Sequence, residues 1–255
     1  MASPTERTVP LSPLWIFLIA CLASLSLFCG DDESSTSSSA APCPGPGCEC
    51  VEDHSCACDD GESCGWECSE ADLDIAAGEQ CTFDCGMNGR CDTTCDDNCD
   101  IFCDIGATCG VTTGDDSDVD CRVGTDCDIV TGDGSEVDCR EGSTCNITTG
   151  NDAEVDCDEG ATCNITTGEN SDVDCERSFC TVTMGANSDF ECEEGAICEA
   201  TLGPGSEAEC EDDSTCTIIC EGSCEFECES SATCELQCAD DDMPQQVDGG
   251  TTATC

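Results

Sequence analysis

Lysine and tyrosine are missing from this 255-residue chain, histidine occurs once, and arginine is the only cationic side chain, present five times. Against these stand 59 acids, for a formal net charge of −54. So acidic a body repels phosphate backbones, which excludes nucleic acid as a direct partner. It draws cations or basic surface partners, or simply confers solubility. Catalysis also loses its usual side chains. With His54 alone and no lysine or tyrosine, acid–base chemistry rests on carboxylates. Paired carboxylates serve glycoside hydrolysis, but many equivalent acids lining a face make a surface and not a site. The composition points to a non-enzymatic protein.

Aromatic residues are scarce too, at 4%. Low hydrophobicity with high net charge ordinarily means disorder. The 34 cysteines argue otherwise, because crosslinks substitute for a core that is too small.

What the chain has in place of a conventional core is a repeat. From Asp118 onward an 18-residue phrase recurs: SDVDCRVGTDCDIVTGDG, SEVDCREGSTCNITTGND, AEVDCDEGATCNITTGEN. A fixed period decides the architecture before any local reading. Each phrase holds two runs that alternate with period 2, the strand signal, separated by turns of Gly, Asp and Asn. Two strands and two turns per 18 residues predict an all-β, parallel two-sheet β-solenoid, disulfide-laddered, with about ten coils.

Columns of equivalent residues support that frame. Two residues before the first cysteine stand Phe83, Ile101, Val119, Val137, Val155, Val173, Phe190, Ala208 and Phe226. Two residues after the second stand Val111, Ile129, Ile147, Ile165, Val182, Ala200, Ile218 and Leu236. Alternation puts each set on the same side as the cysteines, so the two faces form a thin core. Cys-x5-Cys spacing suggests one staple per coil: Cys121–Cys127, Cys139–Cys145, Cys157–Cys163, Cys192–Cys198 and Cys210–Cys216. Additional pairs are expected near the ends, at Cys95–Cys99, Cys220–Cys224 and Cys68–Cys81, with Cys255 tied to Cys238. The phrase CDDGESC at 58–64 reads as a first coil, with Trp66 in the isoleucine column and an insertion at 69–79. A thiolate metal store is the competing reading of the cysteines, but Cys-x-Cys occurs only at Cys48/Cys50 and Cys56/Cys58.

The outward residues of the first strand are acids in two columns. Asp118, Glu136, Glu154 and Asp172 belong to one; Asp120, Asp138, Asp156 and Asp174 belong to the other. Neighbours about 5 Å apart repel by about 0.8 kcal/mol each in water. Calcium, a hard cation with oxygen preference, is the counterion that suits them; the sequence requires no cofactor. A solvated face that keeps the rod soluble is the plainer reading. The stretch TGDGSEVDC, 131–139, resembles the nonapeptide of the calcium-binding repeats-in-toxin β-roll, with Gly132, Asp133, Gly134 and Glu136 matching its turn. That resemblance implies calcium at Asp133 and Glu136, although Thr131 replaces the family's first glycine and the opposite corner lacks its glycine-rich turn.

The second strand differs. Its outward residues are largely Thr, with Asn146 and Asn164 between them. In style these ladders resemble insect antifreeze proteins, but Asp126, Asp128, Phe179, Ile197 and Glu199 interrupt the face. Asn146-Ile147-Thr148 and Asn164-Ile165-Thr166 also match the glycosylation sequon.

At the N-terminus, Arg7 precedes an apolar run from Leu14 to Phe28, an export signal too short to span a membrane comfortably. The adjoining residues, CGDDESSTSSSAA from Cys29, resemble the start of a bacterial lipoprotein. The resemblance implies a lipid on Cys29, a membrane partner through that lipid, and a place in the cell envelope facing periplasm or exterior. Cys21, after Leu18-Ile19-Ala20, fits the lipobox pattern better, but lipidation there would leave an odd number of cysteines. An ordinary secretory signal without lipid stays open.

The chain thus divides into a signal peptide (1–28), a Ser/Pro-rich linker (29–46), a Cys-rich cap with the first coil (47–80), the solenoid repeats (81–238) and an acidic tail (239–255). A structural or adhesive role is the leading expectation. A weak multi-site calcium-binding module and a metal–thiolate protein are the alternatives.

Overall fold

A computed structural model describes residues 48–50, 55–58, 65–68 and 72–77 as backbone strands, and residues 82–239 and 243–255 in full. The export signal, Cys29, the linker and the Cys68–Cys81 pairing lie outside what it describes.

All regular structure among the described residues is β-strand, in 24 segments. They are β1 (Cys48–Cys50), β2 (Ser55–Cys58), β3 (Gly65–Cys68), β4 (Asp72–Ala77), β5 (Thr82–Cys85), β6 (Arg90–Cys95), β7 (Asp100–Cys103) and β8 (Thr108–Thr112). Next come β9 (Asp118–Cys121), β10 (Asp126–Val130), β11 (Glu136–Cys139), β12 (Thr144–Thr148), β13 (Glu154–Cys157), β14 (Thr162–Thr166), β15 (Asp172–Glu176) and β16 (Phe179–Met184). The series ends with β17 (Asp189–Glu193), β18 (Ile197–Leu202), β19 (Glu207–Cys210), β20 (Thr215–Cys220), β21 (Glu225–Cys228), β22 (Thr233–Cys238), β23 (Gln245–Val247) and β24 (Thr251–Thr254).

From β5 to β22, odd strands stack in one sheet and even strands in the other, each parallel to its predecessor. The result is a two-sheet β-solenoid with about nine turns of about 18 residues. The even sheet, here sheet A, has 13 strands; the odd sheet, sheet B, has 11. Register is residue on residue: Val137 pairs with Val119 and Val155, and Ile147 with Ile129 and Ile165.

The positions of the turns are set by small and amide residues. Each coil has two corners, and most corners turn through a left-handed residue. Gly106, Gly124, Gly142, Gly160 and Gly195 serve the first corner; Asn98, Asp116, Gly134, Asp152, Asn170 and Asn187 serve the second. These are the residue types that tolerate positive φ. The one 17-residue step places Arg177 at φ 50 in a corner shortened by one residue.

The apolar columns and the cysteines fill the space between the sheets. Phe83, Phe190 and Phe226 are fully buried in the column that Val119, Val137, Val155 and Val173 otherwise occupy. In two coils a large residue is matched by a small partner, Phe83 by Thr93 and Phe190 by Ala200, whereas Phe226 shares its coil with Leu236.

Three details differ from the sequence frame. Trp66 pairs in register with Phe83, and Cys68 with Cys85. GWEC is therefore a first strand, and Trp66 belongs to the valine column, not the isoleucine column. Asp72–Ala77 is no insertion; it pairs with β6 and is the second strand of that coil. Cys-x5-Cys spacing alone could not decide the frame, because it fits both settings. The C-terminal stretch does not trail loosely either. β23 runs antiparallel to β22, and β24 antiparallel to β21, so both sheets end in a reversed strand.

Candidate functional site

The cysteines line the first corner as a column of disulfides. Cys121 is bonded to Cys127, Cys139 to Cys145, Cys157 to Cys163, Cys192 to Cys198 and Cys210 to Cys216. The same link joins Cys85–Cys91, Cys103–Cys109, Cys175–Cys180 and Cys228–Cys234. At the second corner, Cys95–Cys99 and Cys220–Cys224 bracket the middle coils, and Cys238–Cys255 lies one rung later. Between these staples the corner is lined by Thr113, Thr131, Thr149 and Thr167 on one side and Ser117, Ser135, Ser171, Ser188 and Ser206 on the other, all buried. The N–H of Ser117 donates to Ser135 Oγ at 3.2 Å, and the N–H of Ser171 donates to Ser188 Oγ at 3.1 Å. Cys255 takes the next place in this column, its N–H donating to the Cys224 carbonyl at 3.1 Å.

Sheet B presents the acids. Asp118, Glu136, Glu154 and Asp172 stand in register in one column, and Asp120, Asp138, Asp156 and Asp174 in the next. Asp133 stands apart from these eight, in the second corner, where its Oδ1 accepts the N–H of Asn151. Crowding shows in the carboxyl groups. Burial, then Asp138 and its other acidic neighbours, push Asp156 up to about 6. Asp174 reaches about 7 through burial and then Glu193, Asp156, Glu191 and Glu176. Its Oδ1 is buried without a hydrogen-bond partner. Burial first and acidic neighbours second also raise Asp118, Glu136 and Asp172.

A third column, one residue after the first cysteine of each coil and not singled out from the sequence, continues the acids at Asp104, Asp158, Glu176, Glu193 and Glu211 but contains Arg122 and Arg140, which temper the field locally. Arg122 bonds Asp104 at 2.9 Å and Asp120 at 3.4 Å; Arg140 bonds Asp120 at 2.6 Å and Asp138 at 2.9 Å. Arg122 also lies over the Phe102 ring, 5.4 Å from its centroid; Phe102 stands in register with Asp120, and the guanidinium gives this apolar residue of the second acid column a cationic partner. The available signal was a lone cation one residue after a cysteine in an otherwise acidic chain.

Sheet A carries fewer charges, and its middle strands carry none. On β12, β14 and β16 the outward side chains are Thr144, Asn146, Thr148, Thr162, Asn164, Thr166, Phe179, Thr181 and Thr183, all exposed and none charged. The amides form a chain: Asn164 Nδ2 donates to Asn146 Oδ1 at 2.9 Å, and Asn146 Nδ2 donates to Asp128 Oδ1 at 2.8 Å. A trough of about 930 Å³ runs along this face from Asp92 to Thr183.

No family model, no curated protein and no solved structure matches this chain.

Proposed function

We propose that the chain is a non-enzymatic structural or adhesive protein of the cell exterior, a stiff acidic spacer whose rungs are locked by disulfides. The observation that carries this reading is the unbroken first-corner disulfide column from Cys85–Cys91 to Cys228–Cys234. Disulfides in such number belong to an oxidising extracellular or envelope compartment. A lipid on Cys29 would anchor it, with 29–46 as the tether. Deleting 118–153, two whole coils, tests the spacer by small-angle scattering. A rigid rod shortens by about 10 Å and stays folded; an unchanged or broadened length distribution overturns the reading.

The second reading is a weak multi-site calcium module, favoured by the raised carboxyl groups of Asp156 and Asp174 on sheet B. Thermal unfolding with millimolar calcium, magnesium or plain salt separates the two. A rise in midpoint with calcium alone marks selective binding to the folded face; equal small shifts mark screening. A thiolate store is the third reading. Clusters such as Cys103, Cys109 and Cys127 bring three sulfurs within 4.8 Å, but each of these is in a disulfide, so free-thiol content of the isolated protein decides it.

A further inference from the structure

We propose that the outer trough of sheet A binds a neutral, extended polysaccharide lying along the solenoid axis. This deepens the adhesive half of the reading above; the spacer half does not depend on it.

The trough of about 930 Å³ continues into a second hollow of about 300 Å³, with Asn164 and Thr181 lining both. Its walls repeat hydroxyl and amide groups at the rung spacing of about 4.8 Å. Along β12, β14 and β16 a ligand whose own polar groups repeat along its length meets hydroxyls and amides at each step, while Asp92 and Asp128 line the earlier part of the trough. Because the amides of Asn146 and Asn164 are bonded to each other and to Asp128, their orientation is set. Each amide retains a second N–H, and their oxygens retain lone pairs.

Charge selects the class of ligand. A chain at −54 repels polyanions and also repels a second copy of itself. Cations are better served by sheet B. A neutral polyhydroxylated chain is the occupant that meets no such repulsion, and the exposed Asp128 carboxylate accepts hydroxyl donors.

An independent feature points the same way. Phe179 and Ile197 are neighbours in register at the second hollow, 54% and 51% exposed. Three other phenylalanines, Phe83, Phe190 and Phe226, are buried. An exposed ring beside a ladder of hydroxyls suits a sugar ring, which is apolar on its C–H face and polar at its edge.

The test is calorimetry and amide chemical-shift mapping of the oxidised protein with neutral β-1,4 and α-1,4 glucose hexamers, and with a hexamer of galacturonic acid as anionic control. One neutral hexamer is expected to bind and to shift amides of β12, β14 and β16, while the anion does not. Phe179→Ala and, separately, Asn164→Asp should each weaken binding about tenfold or more, with the thermal midpoint of each variant checked against the parent. Absence of binding by both neutral hexamers at about 10 mM overturns the proposal. Binding indifferent to both substitutions, or a dimer by sedimentation whose dissociation on dilution shifts the amides of β12, β14 and β16, also overturns it. None of these failures touches the shortening expected of a rigid spacer.

Discussion

The Asp133 carboxylate accepts the backbone N–H of Asn151, one coil onward, at 2.7 Å. Asp97 does the same for Asp115 and Asp115 for Asp133, both at 2.9 Å, and Asn151 passes the link to Glu169 at 2.9 Å. The second corner is thus a hydrogen-bonded ladder, and it leaves no room beneath it. A Cβ on Gly132 would run into Asp115 Oδ1 and the backbone of the coil before. Gly132→Ala should therefore destabilise by about 1–3 kcal/mol through overpacking. Gly124 differs: it has open space but φ +69. Gly124→Asn should be nearly neutral and Gly124→Val costly. Chemical denaturation of the three variants distinguishes contact from conformation.

The serine column offers a gain. Each rung of that column accepts an N–H through a serine hydroxyl, but Ala153 supplies none after Ser135, although its own N–H donates to Ser171 Oγ at 3.3 Å. Ala153→Ser should stabilise by about 1 kcal/mol. The neighbouring Thr131 Oγ1 is buried without a partner, so Thr131→Val should also stabilise, by about 1 kcal/mol. Either substitution lowering the denaturation midpoint would contradict the hydrogen-bond assignment.

Acidity should help this fold over a range where it usually harms. Asp156 is raised to about 6 and Asp174 to about 7, both from 3.8; Glu211 is raised from 4.5 to about 7. Burial leads in each case, and neighbouring carboxylates come second. The folded state therefore binds protons more tightly than the unfolded chain. Stability rises as pH falls through about 7, and the gain is complete below about 4. A thermal midpoint that climbs from pH 8 to pH 4.5 is expected, and Asp174→Asn should flatten that climb.

Core layers should couple within a coil. Phe190→Val removes buried ring volume and should cost about 2 kcal/mol. Adding Ala200→Ile in the same coil should restore part of the loss, though it is destabilising alone. A double-mutant cycle with no coupling would mean that the two side chains do not share one layer.

Much of this was legible in the chain. An 18-residue period with two alternating runs leaves one way to bury Val137 and Ile147 together, because alternation assigns every residue to a face. The cysteine staples come with it, since six residues across a tight corner is a span that a disulfide closes. The first coil was misframed because Cys58–Cys64 shows the same spacing; only the pairing of Trp66 with Phe83 decided it. The 239–255 stretch has the look of a tail because acids precede it, while TTAT is too short to declare a strand without the edge of β21 to pair with.

The sequence by itself determined the coil, the two faces and the chemical contrast between two acidic columns on one sheet and a run of threonines and amides on the other, since these depend on neighbours along the chain. Tertiary structure alone decided what side chains of adjacent rungs do for one another. It placed Asp133 on the amide of Asn151, set Arg140 between Asp120 and Asp138, and seated Cys255 as the final rung. Such links depend on the stacked backbone being already in place, because hydrogen bonds and ion pairs are governed by distances of a few ångströms that composition and periodicity do not carry.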